Sequence, residues 1–202
     1  MGPWFFWHRQ SVTTPIIKSF FEILRTENPD LKIAVAGFCW GGRYAILLGQ
    51  ENFADQPLVD AVFAGHPSLI SFPKDLENPV VPTSIAVAEI DRYFDPKIGD
   101  KVKEMWEKKK DEVKTEIVVY EGVKHGFCVR GDLKNETVKT AMQKAADQVH
   151  CTSTTILIFG SGLVQPLLVG MIGKVHFVFA ESRPRLIIWW ILWFDRSVER
   201  QI

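Results

Sequence analysis

Apolar residues alternate with polar punctuation along most of this chain in a way that separates strands from helices. Ile16, Ile17, Phe20, Phe21 and Leu24 recur at three and four residues, which predicts an amphipathic helix from Pro15 to about Arg25, closed by Asn28-Pro-Asp30. Lys32-Ile-Ala-Val-Ala36 is a short apolar run of strand type, and Arg43-Tyr-Ala-Ile-Leu-Leu-Gly-Gln50 reads as a helix that fades near Gly49. Asp60-Ala-Val-Phe-Ala64, Thr83-Ser-Ile-Ala-Val-Ala88 and Thr115-Glu-Ile-Val-Val-Tyr120 predict three more buried strands, the last ending at Gly122. Between the last two lies a charged helix over 97–112, with Ile98, Val102 and Trp106 on its inner face. Val138, Met142, Ala145, Ala146 and Val149 predict a final amphipathic helix. Four short apolar strands alternating with helices predict an α/β fold: a parallel sheet covered by helices on both faces.

The pattern changes near residue 150. Ile156-Leu-Ile-Phe-Gly160, Val164-Gln-Pro-Leu-Leu-Val-Gly170 and Leu186-Ile-Ile-Trp-Trp-Ile-Leu-Trp-Phe194 are largely apolar and carry no motif. Residues 1–150 are therefore expected to form the domain, and 151–202 an apolar tail of unknown fold. The tail is expected to pack on an open sheet edge or to lie outside this fold. Membrane association through 156–194 is the less favoured reading, because Ser161, Gln165 and Pro166 interrupt the run.

Charge changes this picture little. Lys plus Arg and Asp plus Glu both number 24, so the formal net charge is zero and nothing favours a nucleic-acid partner. Three cysteines make no disulfide framework, and no secretory signal opens the chain, so a cytoplasmic protein with free thiols is expected.

Candidate chemistry changes it a great deal. Gly37-Phe-Cys-Trp-Gly-Gly42 joins the first strand to the next helix, a strand–turn–helix of the form G-x-C-x-G-G. This is a nucleophile elbow with cysteine where serine usually stands. Cys39 would sit at a helix N-terminus, where free N–H groups stabilise a thiolate and a developing oxyanion. The plain alternative is a tight turn with a buried structural cysteine. A nucleophile needs a base, and the base needs an orienting acceptor. Sites in such sheets form beyond the C-terminal ends of strands. Asp91 follows the third strand there and His125 the fourth, in the chain order of elbow enzymes. Glu89 and Asp95 compete with Asp91, and His66 competes with His125; His66, before Pro67, is expected to line the pocket or staple its loop. Cys128 is expected to be a packed thiol. No residues have metal-ligand spacing and no phosphate-binding glycine loop is present, so no metal or cofactor is expected.

Four blocks resemble the dienelactone hydrolase family, most closely its fungal members: Gly37–Tyr44, Gly65-His-Pro-Ser68, Ala88-Glu-Ile-Asp91 and Gly122-Val-Lys-His-Gly-Phe127, followed by Arg130-Gly-Asp132. The resemblance covers about residues 1 to 150. It implies an α/β-hydrolase fold retaining about four family strands, a Cys39–His125–Asp91 triad, and the Trp40 backbone N–H as an oxyanion donor. It also implies a small ester or lactone substrate, as in the family's conversion of carboxymethylenebutenolide to maleylacetate. Arg130 falls near the family's cation for a substrate carboxylate, and His66 and Phe127 are expected to line the substrate pocket. Family members carry further strands and a second oxyanion donor ahead of this region. A truncated, catalytically impaired hydrolase with an uncovered sheet edge is therefore the alternative expectation. A class I glutamine amidotransferase domain shares the elbow, but places an acid two residues after its histidine, where this chain has Phe127.

Overall fold

The computed structural model describes residues 9–30, 32–159, 167–172, 175–180 and 187–192, with side chains described over 9–30, 32–149 and at Thr152. Helix α1 spans Gln10–Glu27 and encloses Pro15 rather than starting at it. Near a helix start a missing N–H costs one bond only, so the proline is tolerated there. The buried face of α1 is narrower than its apolar pattern: Ile17 and Phe21 are core residues, whereas Ile16 is 66% exposed. Adjacent residues on a helix point about 100° apart, so only one of each pair can face the sheet.

Strand β1 (Ile33–Phe38) leads into helix α2 (Trp40–Leu48). A small antiparallel pair, β2 (Asn52–Phe53) and β3 (Gln56–Pro57), follows, then β4 (Ala61–Gly65) and β5 (Thr83–Ile90). Helix α3 (Pro96–Glu107) is shorter than expected, its N-terminus capped by the Asp95 carboxylate on Lys97 N–H at 2.9 Å. Strand β6 (Thr115–Lys124) continues past Gly122, which takes a φ of +69° that favours glycine. The pairing with β5 shifts register between Ala88 and Ile90, and Glu89 accepts the Gly122 N–H at 2.8 Å. This irregularity turns the end of β6 toward the end of β5. One helical turn, α4 (Phe127–Arg130), leads to α5 (Glu136–Phe159).

Strands β6, β5, β4 and β1 are neighbours in that order and all parallel, as expected. Successive residues of each strand serve opposite faces. Val35, Val62, Ile85 and Ile117 meet α1, α2 and α3 through Phe21, Tyr44, Ile46, Val102 and Trp106. Ala36, Phe63, Ala86 and Tyr120 meet α5 through Ala141 and Ala145.

The edge beside β1 is covered by the tail, one of the two arrangements expected for it, so the uncovered edge of the truncated-hydrolase alternative is not found. Strand β7 (Leu167–Ile172) pairs with β1 in parallel from Ile33 to Phe38, and β8 (Val175–Ala180) and β9 (Ile187–Leu192) extend the sheet antiparallel. Helix α5 crosses residue 150, the expected division, without a break. No Gly or Pro stands between Glu136 and Phe159 to end it. Among the described residues, no helix is long and apolar enough to cross a membrane.

Candidate active site

The turn between β1 and α2 holds Cys39 at φ 55°, ψ −121°, a strained conformation that costs about 1–3 kcal/mol. Its neighbours permit it. A Cβ on Gly37 would collide with the Gly41 carbonyl, and one on Gly42 would press on Pro67 at 3.1 Å. The main chain clamps the turn from the loop after β4. Cys39 N–H donates to Gly65 O at 3.0 Å, and Ser68 N–H donates to Cys39 O at 3.0 Å. The sulfur is left half-buried beyond the end of β1.

His125 lies at the end of β6, followed by Gly126 at φ +96°. Its Nε2 is 3.1 Å from Cys39 Sγ, and its Nδ1 is 2.8 Å from Asp91 Oδ2. The Asp91 side chain is fully buried, and its other oxygen accepts Tyr93 N–H at 2.8 Å. Asp91 thus has one oxygen held by its own loop and one free for the imidazole. The two competing acids are occupied elsewhere: Glu89 on Gly122 and Asp95 on α3.

Electrostatics follow from these contacts. Burial pushes the Cys39 thiol up, but the bonds from His125 and Ser68, the His125 charge and the Trp40 N–H outweigh it, so its pKa falls below the ordinary thiol value. Burial pushes His125 down, but Asp91 and Cys39 outweigh that and raise it to about 9. The pair therefore favours thiolate and imidazolium near neutral pH. Each partner stabilises the charged form of the other.

The remaining sequence-predicted residues divide. Trp40 opens α2, and its N–H acts on the sulfur. Two of the residues expected to line the pocket are buried, His66 fully and Phe127 at 2% exposure. The left-handed turn at His66 (φ 36°) drives its ring inward, edge-on beneath His125 at 4.9 Å between ring centres. Neither His66 ring nitrogen has a hydrogen-bond partner, so the ring holds its loop by packing alone, against Phe38, His125 and Phe127, and burial drives its pKa to about 3. Phe127 packs on His66 and Tyr120 from below. Arg130 is exposed on α4, its guanidinium beside Gly126. Burial pushes the Cys128 thiol well up, as suits a packed residue. Among the described residues, no group of His, Cys, Asp and Glu side chains could hold a metal ion.

Sequence reasoning passed over Ser68, whose Oγ is 3.6 Å from Cys39 Sγ, and Tyr93, whose ring covers His125 at 4.8 Å. It also missed the anchor of the loop after β4. Arg43 on α2 donates to Asp75 Oδ2 at 2.7 Å, Ser71 N–H donates to the same oxygen at 2.9 Å, and Gln50 donates to Asp75 O at 2.6 Å. The Gly-His-Pro-Ser spelling held the only signal for Ser68.

Comparison with known proteins bears on both fold and site. The dienelactone hydrolase family profile matches residues 6–156. Hydrolase tropI of Talaromyces stipitatus is 29% identical over 140 residues, covering 68% of this chain and 51% of that protein. Hydrolase pyvD of Aspergillus violaceofuscus is 26% identical over 145 residues, covering 72% of this chain and 56% of that protein. The chain thus spans about half the length of the curated relatives it matches. Among solved structures, the propionate-bound esterase of Thermogutta terrifontis superposes with a TM-score of 0.50 at 19% identity, covering 68% of this chain and 64% of that one. The same esterase phosphonylated by cyclosarin gives 0.52 at 19% identity, covering 75% and 66%. These likenesses show the α/β-hydrolase fold.

Proposed function

The chain belongs to the dienelactone hydrolase family, and on that premise we propose that it hydrolyses a small carboxylic ester or lactone, with Cys39 as nucleophile, His125 as proton carrier and Asp91 as its orienting acceptor. The observation that supports this most is the unbroken relay of 3.1 Å from sulfur to imidazole and 2.8 Å from imidazole to carboxylate. Cys39 Sγ as thiolate adds to the substrate carbonyl carbon, forming a C–S bond while the carbonyl π electrons move to oxygen. The Trp40 N–H donates to that oxyanion. Collapse breaks the C–O bond, and the departing alkoxide takes the proton from His125 Nε2, leaving a thioester. Water then gives a proton to His125 as it attacks the thioester carbon. The second collapse breaks the C–S bond and restores thiolate and imidazolium. Asp91 accepts from Nδ1–H throughout and fixes the tautomer.

Hydrolysis of p-nitrophenyl acetate and of a small unsaturated lactone tests this reading. Cys39→Ala is expected to lower turnover by about 10³-fold or more. Retained turnover in Cys39→Ala, or an equal rate in Cys39→Ser, overturns the nucleophile assignment, since hydroxyl and thiol need different activation.

A further inference from the structure

The loop after β4 delivers one hydroxyl to the sulfur. Ser68 is 4% exposed, and its Oγ lies 3.6 Å from Cys39 Sγ. Among the described residues, that hydroxyl has no other hydrogen-bond partner. Its place is fixed independently of the side chain, by the bond from its own N–H to Cys39 O and by the return bond from Cys39 N–H to Gly65 O. The sulfur therefore stands between an imidazole on one side and a hydroxyl on the other. An ionised sulfur can only accept, so both neighbours must donate to it.

From this placement we propose that Ser68 is a further catalytic residue, whose hydroxyl donates to the Cys39 thiolate and favours the sulfur in its anionic form. The proposal rests on Cys39 being the nucleophile. Ser68 keeps its proton throughout and forms no covalent bond. Its bond is strong when the sulfur carries charge, before attack and again as the thiolate leaves the second tetrahedral intermediate. It is weak in the thioester, where the sulfur is neutral. An interaction stronger at the two thiolate stages than at the acyl stage speeds release of the acyl group. The groups that face the sulfur are few. His125 approaches from the end of β6, and Asp91 reaches it only through His125. His66 lies beneath His125 and is held neutral, and Arg43 on the elbow helix is turned to Asp75. Ser68 is also among the influences that lower the Cys39 thiol against burial, after His125.

The experiment measures the pH dependence of Cys39 alkylation by iodoacetamide in the full chain. It is read from the mass of the Cys39 peptide, so that Cys128 and Cys151 do not contribute. Ultraviolet thiolate absorbance, taken as the difference from Cys39→Ala so that the other thiols and the tyrosines cancel, gives the same midpoint without dependence on reagent access. In Ser68→Ala the midpoint is expected to rise by about one pH unit, the size carried by one hydrogen bond to a charged group. The rate at high pH should increase slightly, because a more basic thiolate is more nucleophilic. An unmoved midpoint overturns the proposal. So does a lowered one, which would mean the hydroxyl accepts from the neutral thiol. His125→Ala separates this from the parent reading. If the wild-type midpoint is already that of an ordinary thiol and His125→Ala does not move it, the nucleophile assignment fails and the Ser68 role fails with it. A depressed wild-type midpoint that Ser68→Ala leaves in place overturns the Ser68 role alone.

Discussion

The loops after β4 and β6 each carry a histidine, and the two rings sit 4.9 Å apart, yet they are driven in opposite directions. Burial lowers both. His66 has no hydrogen-bond partner on either nitrogen and falls to about 3. His125, with Asp91 at 2.8 Å and Cys39 at 3.1 Å, rises to about 9. One buried carboxylate thus sorts two adjacent imidazoles into a neutral packing group and one that favours its charged form. A histidine at a strand end is uninformative by itself; its acceptor decides what it does.

Removing that acceptor is the harshest way to break the contrast. Asp91→Asn should reduce kcat on an activated ester by about 10⁴-fold, since the imidazole loses both its orienting bond and the charge that stabilises imidazolium. A fall of less than tenfold would mean that Asp91 does not do the sorting. The next effect is on the pH profile. Wild-type kcat/KM should decline about tenfold per pH unit above about 9, as His125 loses the proton it must give to the leaving group. In Asp91→Asn this limb should move toward lower pH, and an unmoved limb would assign it to another group.

The smallest effect concerns His66 and appears in stability. Its folded value of about 3 lies below the ordinary 6.5. Between those values the unfolded chain binds a proton that the folded chain refuses, so stability falls as pH drops through that window. His66→Leu should flatten this acid-side loss in urea melts while changing turnover by less than about tenfold. A loss of activity comparable to Asp91→Asn would make His66 a proton carrier and erase the contrast. On the alkaline side stability should respond less, because the proton His125 retains is matched by the one Cys39 gives up.

Much of this arrangement was legible because it depends on short-range geometry. A strained residue between a strand and a helix demands glycines at fixed offsets, and Gly37 to Gly42 supplies them. Short apolar strands point to Asp91 and His125 because strand ends converge in a parallel sheet. Other features needed the folded path. Ser68 meets Cys39 only because the chain reverses sharply at His66 and Pro67. The choice among Glu89, Asp91 and Asp95 turned on the bulge opposite Gly122, which occupies Glu89. His66 and Phe127 are spelled as pocket residues, but the left-handed turn buries the first on the second. The pairing of β7 with β1 joins segments far apart in the chain, and no local pattern in Leu167–Ile172 names its partner.

The Arg43–Asp75 anchor has a mechanical consequence. Asp75 holds Arg43 through its carboxylate and Gln50 through its carbonyl, while gripping the Ser71 amide of its own loop. The loop that carries Ser68 is thereby bolted to the elbow helix and must move with it as one cooperative unit. Amide hydrogens of Ser68, Asp75 and Leu76 should then exchange with solvent in step with those of α2. On His125 the cover is of another kind: Tyr93 is 42% exposed and lays its ring against the imidazole at 4.8 Å between ring centres, and among the described residues its hydrogen bonds run to Asp91 and Arg92 of its own loop, not to the elbow helix.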